Sequence, residues 1–141
     1  TNEEQMKNAA HMACIDDFID SLPLGYETVI GMEGKGISQG QRQRILIARA
    51  IYKNPEYIFL DEATNSLDAT NEARIMENLN RFYEGRTVVV SAHRLSTIRD
   101  ADQILVMSDG QIVERGNHES LLAKHGRYYE LVKHQMNLIE E

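Results

Sequence analysis

Tyr57-Ile58-Phe59-Leu60-Asp61-Glu62 decides how this chain is read. A short continuous apolar run fits a strand buried on both faces of a parallel sheet. The run stops at two acids. In open α/β sheets, ligands gather outside the carboxyl ends of the strands, so Asp61 and Glu62 stand where chemistry is done. One carboxylate is placed to hold Mg²⁺, directly or through water, and its neighbour, pointing to the opposite side, to polarise a water. Taken alone, the pair also fits a strand that simply ends in solvated acids.

Working downstream, a helix is expected from about Ala69, with Ile75, Met76, Leu79, Phe82 and Tyr83 on one stripe and Gly85 as its stop. Val88-Val89-Val90 reads as a second buried strand and Gln103-Ile104-Leu105-Val106-Met107 as a third. Asp109-Gly110 predicts a tight hairpin, so Ile112-Val113-Glu114 should run back antiparallel. Two helices, from about Asn117 and about Arg127, are divided by Gly126. Strand–helix–strand alternation of this kind indicates an α/β layered fold with a mostly parallel sheet. His93 follows the second strand through Ser91-Ala92. Such a histidine is ordinarily a loop or satisfied core group, but a strand next to that of Asp61 would bring both to one rim.

Upstream, Ser38 has the look of a helix N-cap, with Gln41 as its box partner three residues on. The helix behind it carries Ile45, Ile47, Ala48 and Ile51 and ends before Asn54-Pro55. Ser38-Gln39-Gly40-Gln41 therefore sets a hydroxyl and free N–H groups at a helix N-terminus, a natural anion site, although a plain capping box has the same appearance. Gly31, Gly34 and Gly36 interrupt regular structure before it. Earlier still, Met6, Ala9, Ala10 and Ala13, then Ile15, Phe18, Ile19 and Leu22, recur at helical spacing until Pro23 and Leu24-Gly25. Thr1 to Glu4 reads as a capping box with Thr1 as N-cap, an opening that suits a cut inside a larger protein.

Composition narrows the classes. At 141 residues, 42% hydrophobic and 26% charged, the chain suits one ordinary globular domain. No apolar run approaches the ~18 residues that span a bilayer, so a membrane link is expected through a partner or another segment. A net charge of −7 argues against a nucleic-acid module, which carries a basic face, but leaves room for a local nucleotide site. Cys14 is the single cysteine and no Cys/His cluster has zinc spacing, which favours a reducing, cytoplasmic setting.

Together these segments resemble the ATP-binding-cassette (ABC) family. Ile37-Ser38-Gln39-Gly40-Gln41-Arg42-Gln43-Arg44 is similar to its signature motif, usually Leu-Ser-Gly-Gly-Gln, with Gln39 replacing the first glycine. The opening hexapeptide resembles Walker B, Ser66-Leu67-Asp68 the D-loop, and Ser91 to Thr97 the histidine-switch region. Leu22 to Thr28 and Asp109 to Gly116 with His118-Glu119 are similar to exporter-type members, peptide and bacteriocin exporters above all. Gly31-Met32-Glu33-Gly34 departs from the Gly-Glu-Arg-Gly usual in exporters. A Walker A loop, Gly-x-x-x-x-Gly-Lys-Ser/Thr, is missing, since the only Gly-Lys pair, Gly34-Lys35, is followed by Gly36.

The resemblance implies a partial P-loop NTPase-like ABC ATPase fold, with a helical signature region over 1–55 and the Walker B to C-terminal region over 56–141. It implies ATP and Mg²⁺ as ligands, a second ABC ATPase domain in a head-to-tail dimer, a transmembrane domain, and a missing N-terminal Walker A half. Asp61 would position Mg²⁺, Glu62 the attacking water, and His93 the γ-phosphate and water. Ser38, Gln39, Gly40 and Gln41 would meet nucleotide held by the opposite protomer, and Asp68 would carry contacts across the dimer. The expected place is the cytoplasmic face of a membrane, and the isolated chain is expected to be inactive. Two other readings differ in class. A chromosome-maintenance or DNA-repair ATPase would place a long coiled coil before the signature and involve nucleic acid, which the charge disfavours. A non-catalytic module would only donate its signature helix.

Overall fold

The computed structural model describes residues 2–31 and 36–137. They fall into two compact units, Thr1–Ser91 and Ala92–Glu141. Gly34 and Lys35, with Met32 and Glu33 of the preceding loop, lie outside the described residues.

The first unit begins with α1 (Glu3–Met12), α2 (Asp16–Asp20) and a 3-10 turn at Gly25–Glu27. The cap of α1 is Asn2, whose side chain accepts from the Gln5 N–H at 3.2 Å. Thr1, the cap expected from sequence, lies outside the described residues; Asn2 is extended and one position nearer the first turn, where its short side chain reaches the third helical amide. α3 (Gln39–Lys53) opens on the expected capping box: Ser38 Oγ accepts from the Gln41 N–H at 3.1 Å, and Gln41 Oε1 accepts from the Ser38 N–H at 2.8 Å. It closes at Asn54 in the left-handed conformation, φ 47°, immediately before Pro55. β1 (Tyr57–Asp61), α4 (Ala69–Tyr83) and β2 (Thr87–Ser91) follow.

Ala9, Ala10 and Ala13 are buried with Ile15, Ile47, Ile51, Leu67, Ile75 and Leu79. Ala9 and Ala10 on α1, with Ala13 as its C-cap, let the helix pack tightly on α3 and α4. Ile15 and Ile75 are wholly buried, each contributing about 1.5–3 kcal/mol relative to exposure. Tyr83 packs against this core, and burial pushes its hydroxyl up to about 12. Arg86 clamps the turn after α4, donating to the carbonyls of Pro55, Phe82 and Glu84 and to Asn54 Oδ1.

β1 and β2 are parallel and in register from Tyr57↔Thr87 to Asp61↔Ser91, so their carboxyl ends lie side by side. Burial on both faces, expected from the apolar runs, does not hold. Ile58 is buried, but Phe59 is 76% exposed, Tyr57 66% and Val89 50%. Side chains alternate across a strand, and the described residues cover only one face of this pair.

In the second unit, α5 (Leu95–Ile98), a single turn not anticipated from sequence, precedes β3 (Ile104–Ser108) and β4 (Gln111–Gly116). These strands are antiparallel, joined by Asp109 at φ 51° and Gly110 at φ 75°, the paired positive angles of a primed turn. The third strand of the sequence reading thus pairs with its hairpin partner and, among the described residues, with no parallel strand. The short turn returns the chain directly onto the edge of β3. α6 (His118–Ala123), capped by Asn117, and α7 (Arg127–Asn137) complete the unit over a core of Ile104, Val106, Leu121, Tyr128 and Val132. Tyr128 hydroxyl lies 2.8 Å from His118 Nδ1, and burial pushes that hydroxyl up. Glu114 Oε2 accepts from the Tyr128 N–H at 2.7 Å, setting a carboxylate on the first turn of α7.

Candidate functional site

The parallel pair ends at Asp61, which is exposed, and the ladder gains one further bond as the Glu62 N–H donates to the Ser91 carbonyl at 2.8 Å. Glu62 then leaves the sheet with φ 47°. A residue with a Cβ in that region costs roughly 1–2 kcal/mol, so the surroundings must hold it there.

They do so through α3. Gln43 Oε1 accepts from the Ser66 N–H at 3.1 Å, and Gln43 Nε2 donates to Asn65 Oδ1 at 2.6 Å and to the Glu62 carbonyl at 3.3 Å. Asn65 Nδ2 in turn donates to Glu62 Oε2 at 2.9 Å. One turn nearer the start of α3, a Cβ on Gly40 would stand 3.1 Å from the Ser66 carbonyl and 3.8 Å from Leu67. The absence of a side chain at Gly40 is therefore what lets the helix lie against the loop. Leu67 anchors the loop in the core, and the buried Thr64 hydroxyl donates to Glu72 Oε1 at 3.3 Å.

Asp68 ends the loop as N-cap of α4, accepting from the Asn71 N–H at 3.0 Å and from Asn71 Nδ2 at 2.6 Å. These bonds, the side-chain one first, hold its carboxyl below the usual range. The candidate residues of the first unit thus fall on one substructure: the exposed Ser38 and Gln39 and the half-buried Gly40 and Gln41 on α3, then Asp61, Glu62 and Asp68 along the loop that α3 supports.

His93 belongs to the second unit and is exposed. Its carbonyl accepts from Gln135 Nε2, while Gln135 Oε1 accepts from the Leu95 N–H at 2.8 Å, so α7 pins the segment that carries it.

No group of three or more His, Cys, Asp or Glu side chains with metal-site geometry occurs among the described residues. Asp61 offers one exposed carboxylate at a strand end. That fits Mg²⁺ in its common setting, where one or two carboxylates are joined by waters and substrate phosphates, and does not fit a closed protein cage.

Sequence reasoning gave no role to Gln43, Asn65 or Gln135. Gln43 was within reach of it: Gly40 and Gln43 are three apart, hence on one face of α3, so whatever approaches the glycine meets the amide. Gln135 lies 42 residues from His93, and only the fold joins them.

Known proteins align with this arrangement. The ABC transporter family model matches residues 1–65. The chain is 52% identical over 140 residues to an ATP-dependent lipid A-core flippase of Syntrophus aciditrophicus (strain SB), covering 99% of this chain and 23% of that protein. It is 53% identical over 129 residues to the exotoxin translocation ATP-binding protein PaxB of Pasteurella aerogenes, covering 91% of this chain and 18% of that protein. Among solved structures, a bacterial Atm1-family ABC exporter with ATP bound superposes with a TM-score of 0.89 at 42% identity, over 95% of this chain and 23% of that one. The chain thus spans about a quarter or less of the length of these relatives.

Proposed function

Because this chain belongs to the ABC transporter family, as a segment of an exporter-type nucleotide-binding domain, we propose that it supplies one catalytic face of the ATPase that drives a membrane exporter. The observation that carries this reading is the junction of α3 with the loop after β1. One helix N-terminus, suited to phosphate, and one carboxylate pair, suited to a metal and a water, are tied together by Gln43 and by the close approach at Gly40.

In this reading ATP lies between two nucleotide-binding domains arranged head to tail. Ser38 and Gly40, flanked by Gln39 and Gln41, face the γ-phosphate held by the opposite protomer, where the helix end offers roughly half a positive charge. Asp61 would hold Mg²⁺, which would neutralise charge on the phosphate oxygens. Glu62 orients the attacking water and takes its proton, a contribution of about 10²–10⁴ in rate. His93 donates a hydrogen bond to the γ-phosphate, and Asp68 carries contacts to the facing domain. Positioning and charge neutralisation supply most of the remaining acceleration of a phosphoryl transfer.

No helix among the described residues is long and apolar enough to cross a membrane. The proposed location at the cytoplasmic face therefore rests on a transmembrane domain as partner, and the cargo is set by that partner. A Walker A lysine has to come from outside these 141 residues, so the isolated chain is expected neither to bind ATP tightly nor to hydrolyse it.

The test compares the isolated chain with the full-length protein that contains it. The full-length protein should hydrolyse ATP with Mg²⁺ and lose that activity in Glu62→Gln, while the isolated chain shows none. Hydrolysis by the isolated chain, abolished by the same substitution, would overturn the division of labour. Full activity of full-length Glu62→Gln would overturn the catalytic assignment.

A further inference from the structure

Resting on the assignment of Glu62 above, we propose that Gln43 and Asn65 are positioning residues: a relay of side-chain amides, set by a backbone N–H, that aims the Glu62 carboxylate.

The direction of the relay follows from donor and acceptor chemistry. The Ser66 N–H can only donate, so the group of Gln43 that meets it at 3.1 Å is the carbonyl oxygen. The Gln43 NH₂ must then point the other way, where Asn65 stands at 2.6 Å and must present its oxygen. Ser66 Oγ donates to the same Asn65 oxygen at 3.3 Å, a contact compatible with that orientation. The Asn65 NH₂ is left facing Glu62 Oε2, 2.9 Å away. One fixed N–H therefore orients two amides in turn, and the second delivers a donor to one carboxylate oxygen.

Gln43 also grips the other end of the same residue. Its NH₂ donates to the Glu62 carbonyl at 3.3 Å, at the position where the backbone takes its positive φ. Main chain and side chain of Glu62 are thus located by one pair of amides, on α3 and on the loop. A carboxylate that must meet a water in line with a phosphate gains from being held, since a misplacement of about 1 Å is enough to cost roughly a hundredfold in rate.

The experiment uses the purified full-length protein that contains this chain and measures kcat and KM for ATP hydrolysis. Asn65→Asp and Gln43→Glu keep shape and size but replace the donating NH₂ with an acceptor. Each is made alone and with Glu62→Gln, and thermal unfolding is followed throughout. The expected result is a fall in kcat of about ten- to a hundredfold, with KM for ATP within about twofold. Adding either change to Glu62→Gln should lower its residual rate no further. Unchanged kcat, a loss carried by KM, or an equal further loss in the Glu62→Gln background would each overturn the relay, the last by marking a merely structural role. If Glu62→Gln alone leaves hydrolysis at the wild-type level, the catalytic reading fails and the relay fails with it. Loss of the relay alone is distinct, because Glu62→Gln would then be reduced to its residual rate while the amide variants keep the wild-type kcat.

Discussion

Ser38 holds two jobs on one oxygen. Its Oγ accepts the Gln41 N–H at 3.1 Å, which caps α3, and the hydroxyl still has a proton to donate to a phosphate oxygen. Substitution separates the two. Ser38→Ala removes cap and hydroxyl and should destabilise the fold by about 1 kcal/mol, whereas Ser38→Gly should cost only a few tenths. Urea unfolding of the chain reads that difference. Hydrolysis by the full-length protein should fall equally in both variants if the hydroxyl meets nucleotide. A loss that follows the stability order instead would assign Ser38 to capping alone. At this scale the sequence was legible where a residue acts on near neighbours. The Ser38–Gln41 box spans three positions and appears as expected. The bond from Gln43 to Asn65 spans 22 positions, and no local rule contains it.

Among the elements, α7 depends on a group outside itself. The Glu114 carboxylate on β4 binds the Tyr128 N–H at the first turn of α7, and a Cβ on Gly126 would stand 2.0 Å from Glu114 Oε1. Gly126 reads from sequence as a divider between two helices; in the fold it is the gap that admits a carboxylate. Gly126→Ala should push Glu114 away and destabilise the second unit by roughly 1–2 kcal/mol, the scale of a charged group lost from a helix N-terminus. Glu114→Ala should cost a similar amount, and the double variant little more than either, because both remove one interaction. Amide hydrogen exchange along α7 reports the change. Additive losses would show that the two residues act separately.

Across the whole molecule, the exposed face of the parallel pair carries Phe59, Tyr57 and Val89, a group of large apolar side chains that water disfavours. The edges of a two-stranded sheet also present unpaired N–H and C=O groups. The isolated chain is therefore expected to self-associate as concentration rises, and Phe59→Lys to shift it toward monomer, both measured by light scattering. A wild-type monomer at high concentration would overturn this.

The sequence by itself determined the order and kind of most elements, because capping boxes, the Asp109-Gly110 turn and apolar periodicity act over a few residues. The same locality carried the Walker B and signature resemblance, each contained in one short run. Only the tertiary structure decided which face of β1 is covered, since an apolar run shows that burial is favoured but not what is there to provide it. It also decided that β3, beyond the hairpin with β4 that the Asp109-Gly110 turn predicts, has no parallel neighbour among the described residues, because pairing with a parallel strand is a choice among edges distant in sequence. The support of Glu62 by Gln43 and Asn65 belongs to the same class. Its carboxylate is set by groups from two elements, and their meeting depends on the close approach of α3 to the loop at Gly40.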